Sequence, residues 1–172
     1  MPRNIEQEKL MALSGSLARE STKVLGAKKA TPFLPFISCY YTDVALQDIE
    51  GEKAASLIGA AYAHYTFAAK REKGKPTVRV YNPTAKDYSW SQPHTVIEVV
   101  NDDMPFLVDS TTAALNQLKL VVHLVIHPMY SCERDARGNL VRILERGASS
   151  DKAINESFMR IEINEQPKEK LS

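Results

Sequence analysis

The sequence predicts an α+β fold, a sandwich of the split βαβ type preceded by a helical amino-terminal extension, and three observations carry that expectation. Up to about residue 75 the apolar residues recur at helical spacing. From Thr77 onward, short β-branched runs alternate with turn residues. One further helical stretch, from Pro105 to Leu118, interrupts those runs, giving the order β, α, β, β.

Taken in order, Leu10, Leu13, Leu17 and Val24 fall near one face of a helix from Ile5 to about Leu25, which Gly26 ends. The stretch TPFLPF, Thr31 to Phe36, sets two prolines among large apolar residues and is expected to be an extended connector against the core. Gly51 to Arg71 is Ala-rich, with Leu57, Ile58, Ala61, Tyr65 and Ala68 at helical spacing, and stops before Lys73, Gly74, Lys75 and Pro76. Thr77 to Tyr81 (TVRVY) alternates as a strand, and the chain through Trp90 to Pro93 reads as a surface loop. His94 to Val100 (HTVIEVV) is an apolar strand, followed by Asn101, Asp102 and Asp103 and by a helix with Pro105 just inside it and the stripe Leu107, Thr111, Ala114, Leu115 and Leu118. Leu120 to Ile126, Asn139 to Leu144 and Ser157 to Ile163 complete the strands. The expected division is a helical extension over residues 1–75 and an α+β domain over residues 76–172.

Side-chain alternation says what must cover the sheet. Val96 and Val100 face one way, Ile97 and Val99 the other, and Leu120 to Ile126 is apolar on both faces. Covers are expected from the chain's own helices and from a second subunit, which makes the protein a homo-oligomer through its sheet face. Met159, Ile161 and Ile163 oppose Phe158, Arg160 and Glu162, so the last strand is expected to be peripheral and half solvated.

Composition excludes several classes. With 22 Lys and Arg against 21 Asp and Glu, the net charge of +1 gives no basic footprint for nucleic acid. The amino terminus carries no apolar run long enough for a signal peptide or membrane span, so a cytoplasmic location is expected. Cys39 and Cys132 lie outside any CxxC pattern and are expected to be reduced, with a buried disulfide as the alternative. No GxG occurs, which removes the usual dinucleotide and phosphate loops, and no serine sits in a GxSxG elbow. His123 and His127, if on one strand, would lie roughly 13 Å apart, too far to share a metal. The turn Asn101, Asp102, Asp103, Met104, Pro105, Phe106 is the candidate effector site, because the backbone N–H groups of a helix start hold carboxylate or phosphate. Asp102 and Asp103 are read first as caps of that helix. The rival from another class is a small independent enzyme using Asp102, Asp103 and His127.

The stretches HTVIEVVNDDMPFLVDS (His94 to Ser110) and VVHLVIHPMY (Val121 to Tyr130), supported by ESFMRIEI (Glu156 to Ile163), resemble the amino-terminal ACT-like region of the very large bacterial NAD-specific glutamate dehydrogenases. The resemblance runs from about Tyr40 to Ile163. It implies an incomplete ACT-like, ferredoxin-like unit whose second helix and fourth strand have no counterpart here, with Thr77 to Tyr81 as an extra strand of unassigned pairing. It also implies a regulatory or assembly role, or a pure oligomerisation scaffold, within a parent enzyme of amino-acid metabolism that converts glutamate and NAD to 2-oxoglutarate, ammonia and NADH. NAD would be held elsewhere in that parent, and this chain's partners would be the rest of the parent, a second copy and a possible amino-acid effector. Where amino-acid-binding ACT domains tend to carry glycine, this chain has Phe106, so weak or no binding of free amino acids is expected.

Overall fold

The computed structural model describes residues 5–88 and 90–171. Three helices, α1 (Ile5–Leu25), α2 (Ala27–Tyr40) and α3 (Ala54–Phe67), form a layer against one face of a sheet. The strands are β1 (Thr77–Tyr81), β2 (His94–Asp102), β3 (Val122–Ile126), β4 (Met129–Arg134), β5 (Leu140–Ile143) and β6 (Ala153–Asn164), all pairing antiparallel. A short α4 (Ala85–Tyr88) follows β1, and α5 (Leu107–Gln117) follows β2.

The sheet order is β1-β2-β6-β4-β5, with β3 also on β6. Along one edge β6 pairs with β2 from Glu156 to Asn164, and along the other it meets β4 in its first half and β3 in its second. The last strand in sequence is therefore the central one, which corrects the expectation that it is peripheral. Its charged residues are buried because their partners are buried beside them. Glu98 of β2 stands directly opposite Arg160, and Arg160 binds Glu98 at 2.9 Å and Glu162 at 3.1 Å.

The TPFLPF segment lies inside α2, with Pro32 and Pro35 within the helix, rather than in an extended connector. Each proline removes one N–H from the helix ladder. Packing outweighs that loss: Phe33, Phe36 and Ile37 are wholly buried, and the Phe36 ring lies 4.7 Å from Tyr130 and 5.4 Å from Phe158 on the sheet. Burying one such side chain is worth about 1.5–3 kcal/mol. Trp90 also departs from the surface-loop reading, since it is buried over the Arg160 guanidinium at 4.8 Å. Strand β4, unassigned in the sequence reading, is half-buried, with Tyr130 and Cys132 inward. Both cysteines are free thiols.

Helices and sheet share one core, in which Leu10 and Leu17 of α1 join Val100, Ile126 and Phe158 of the strands. The opposite face is covered differently. There Leu115 of α5 packs with Met159, Ile161 and Ile163, while the α5 residue Ala114 and its neighbour Leu118 are exposed rather than part of a buried stripe. Val78 and Val80 stand opposite Val99 and Ile97 on this same face, and Val78 is 57% exposed. Among the described residues no helix is long and apolar enough to cross a membrane.

Candidate functional site

The turn between β2 and α5 is built by register at one end and by a strained residue at the other. Asn101 and Asp102 are still in the sheet, opposite Ser157 and Glu156, and the Asp103 N–H donates to the Asn155 carbonyl at 3.0 Å. The helix then starts at Leu107, later than the placement of Pro105 inside it, with Phe106 as its N-cap at φ 64 and ψ 15. Phe106 makes no side-chain cap. Its carbonyl accepts from the Ser110 N–H at 2.9 Å. A left-handed conformation costs a non-glycine residue about 1–2 kcal/mol, and here it turns the ring outward, 74% exposed. Met104 beside it is also exposed and takes a weak contact from the Asn101 amide at 4.0 Å.

The acidic pair does not cap α5. Asp102 instead accepts a hydrogen bond from Arg71 at 2.6 Å. Arg71 is buried, reaches Glu156 at 2.8 Å and donates to the Lys75 carbonyl at 3.0 Å. Arg134 binds the same Glu156 from the other side at 2.7 Å and also donates to the Ala68 and Gly138 carbonyls. Two guanidiniums thus enclose one wholly buried carboxylate, with Asp102 as the second anion of the set. The sequence reading missed this network because Arg71 lies 31 residues from Asp102 and 85 from Glu156.

The structure brings His127 to the same end of the sheet, where Nε2 lies 2.6 Å from the Ser157 hydroxyl. Burial lowers the His127 pKa and the charge of Asp103 opposes that shift. Ser157 is itself buried in the central strand, so a substrate carbonyl has no approach to its hydroxyl oxygen. Asp102 is engaged in its ion pair with Arg71. His123 is exposed, and its ring stacks on His94 at 4.4 Å, away from His127. Among the described residues no group of three or more His, Cys, Asp or Glu side chains is placed to hold a metal.

A second polar cluster lies inside the helix-facing side of the sheet. Glu98 is bound by Arg160, by Arg79 and by the Tyr81 hydroxyl at 2.9 Å. Burial alone would raise the Glu98 pKa, but His64, Arg160 and Arg79 outweigh it and hold the carboxyl below its usual range. The signal in the sequence was the single Glu inside the apolar run HTVIEVV, matched by Arg160 in SFMRIEI.

An antiparallel sheet closed on one face by helices, with one strand–turn–helix unit on the other, defines this as an α+β domain whose distinctive surface is the turn and the half-covered face beside it. Residues 36–172 match the family model described as "Glutamate dehydrogenase, ACT1 domain", and the chain belongs to that family. It is 30% identical over 140 residues to the NAD-specific glutamate dehydrogenase of Pseudomonas aeruginosa, covering 81% of this chain and 9% of that protein. It is 29% identical over 159 residues to the protein of the same name from Halomonas elongata, covering 92% of this chain and 10% of that protein. The chain thus spans about a tenth of the length of the curated relatives it matches. No solved structure matches it.

Proposed function

We propose that this chain is a non-catalytic regulatory and assembly domain of an NAD-specific glutamate dehydrogenase. The parent reaction, NAD-linked conversion of glutamate to 2-oxoglutarate and ammonia, takes place in other parts of the polypeptide, and NAD is held there. The observation that carries the reading is the unequal dressing of the two sheet faces. One is sealed by α1–α3, and the other leaves Val78, Phe106 and Met129 exposed. Apolar surface of this kind marks an interaction site.

The strand order supports a split βαβ plan. In that plan β2, β3 and β6 are the first three strands, and β1 occupies the fourth strand's place beside β2. The plan's second helix would lie over Val78, Val80, Ile97 and Val99, the strip that stays partly open. A second copy of the domain, seated on that strip, makes the homo-oligomer. Light scattering on the chain should show mass rising with concentration, and Val78→Lys should abolish the rise while leaving the circular dichroism spectrum unchanged. A wild-type chain that stays monomeric at millimolar concentration would remove the assembly half of the reading.

The regulatory half places an effector at the turn Asn101–Phe106, whose helix-start N–H groups favour an anionic group. The outward-turned Phe106 bears on this directly, because its ring stands at the rim of the turn. Thermal shift across the amino acids, on wild type and Phe106→Gly, tests it. Weak or absent stabilisation by amino acids is expected for wild type, and a larger amino-acid-induced shift in Phe106→Gly, measured against the same variant without ligand, would mark the turn as the site.

A further inference from the structure

We infer that the groove between the segment following α3 and the tip of the β4–β5 hairpin binds a small polyanion, one carrying two or more carboxylate or phosphate charges. The groove encloses about 470 Å³, within the range of roughly 300–1,000 Å³ typical of small-molecule sites. Five cationic residues line it, Arg71, Lys73, Arg134, Arg137 and Lys152, against two acidic ones, Glu72 and Asp135.

Those two carboxylates are already engaged. Glu72 pairs with Lys75 at 2.9 Å. Asp135 accepts from the Asn139 amide at 2.8 Å and from the N–H groups of Arg137 and Asn139, which hold its pKa below the ordinary range. At the back wall, Arg71 and Arg134 are balanced by Glu156 and Asp102. Lys73, Arg137 and Lys152 are exposed and make no salt bridge among the described residues. Three exposed cations outside any salt bridge, of which Lys152 also feels the Glu133 carboxylate, raise the local concentration of anions on one concave rim, more so where the wall behind them is low in dielectric.

The walls are also fixed before any ligand arrives. The Arg71 N–H donates to the Gly138 carbonyl at 3.0 Å and the Leu140 N–H to the Ala69 carbonyl at 2.8 Å, so the hairpin tip is tied to the chain leaving α3. A site whose geometry is set in advance loses less entropy on binding. Arg71, whose buried guanidinium also holds Asp102, joins the back of the groove to the turn Asn101–Phe106.

The test is calorimetry on the 172-residue chain at low ionic strength, with inorganic pyrophosphate and with citrate as separate probes; the tighter of the two identifies phosphate or carboxylate as the preferred group. Saturable binding of at least one probe is expected, weakened several-fold as ionic strength rises to about 0.15 M. Lys73→Glu and Lys152→Glu should each weaken it about fivefold. Lys53→Glu, at the opposite end of α3, should change it by less than about twofold. These exposed substitutions leave Arg71, Arg134 and Glu156 in place, and an unchanged circular dichroism spectrum verifies the fold. Absence of saturable binding by both probes, or equal weakening by Lys53→Glu and Lys73→Glu, would overturn the inference.

Discussion

Arg71 binds Asp102 at 2.6 Å and Glu156 at 2.8 Å through the same nitrogen, so one buried guanidinium behind α3 fastens the ends of two neighbouring strands. Removing it strands a wholly buried carboxylate with Arg134 as its remaining cation. Arg71→Ala should therefore cost about 3–5 kcal/mol in urea unfolding. Asp102→Asn should cost less than about 1 kcal/mol, because that carboxylate is partly solvated. Equal costs for the two would contradict the assignment of Arg71 as the anchor.

Acid should destabilise the fold through His64. Burial lowers its pKa from 6.5 to about 4, and its Nδ1 is paired with the Tyr40 hydroxyl at 2.9 Å. Between those two values the unfolded chain takes up more protons than the folded one. The contribution is fully present above about pH 6.5 and is lost as pH falls to about 4, a change of roughly 3 kcal/mol. His64→Asn, which keeps a partner for Tyr40, should flatten the dependence of unfolding free energy on pH between 7 and 4.5. An unchanged slope would mean that His64 is not its source.

Gly138 meets two constraints at once. Its φ is +82, and a Cβ built there would lie 2.2 Å from the Arg71 carbonyl oxygen, a backbone atom that cannot swing aside. Gly138→Ala should cost more than about 2 kcal/mol and loosen the hairpin tip, read as faster amide exchange at Arg71 and Leu140. Gly147 has nearly the same φ and open space around it, so Gly147→Ala serves as the control with a smaller loss.

Phe106 offers the reverse case, a substitution that should stabilise. Glycine at φ 64 relieves the left-handed strain, and a ring that is 74% exposed gives up little burial. Phe106→Gly is expected to gain up to about 1 kcal/mol in thermal or urea unfolding of the isolated chain. A loss of that size would show that the ring packs in the isolated domain.

The legible parts of the fold were those where one local force dominates. Helix α1 runs from Ile5 to Leu25, as its apolar spacing and Gly26 require, and α3 follows its Ala-rich tract. The misreadings share a cause, long-range burial overriding a local rule. Pro32 and Pro35 argue against a helix until Phe33 and Phe36 are placed against Tyr130 and Phe158. Arg160 and Glu162 argue for a wet strand until Glu98 arrives from β2. At the candidate site, the turn could be located from its residue order. The tie from Asp102 to Arg71 could not, since nothing local links them.

The position of β6 also bears on how the domain forms as it is synthesised. The strands β1 and β2 emerge together as a pair, as do β4 and β5, yet none of β2, β3 and β4 has its central neighbour until residues 153–164 leave the ribosome. Until then the carboxylate of Glu98 lacks Arg160, and the guanidiniums of Arg71 and Arg134 lack Glu156. Closure of the sheet and completion of its interior charge pairs therefore wait on one late event, a single strand sliding between two waiting edges.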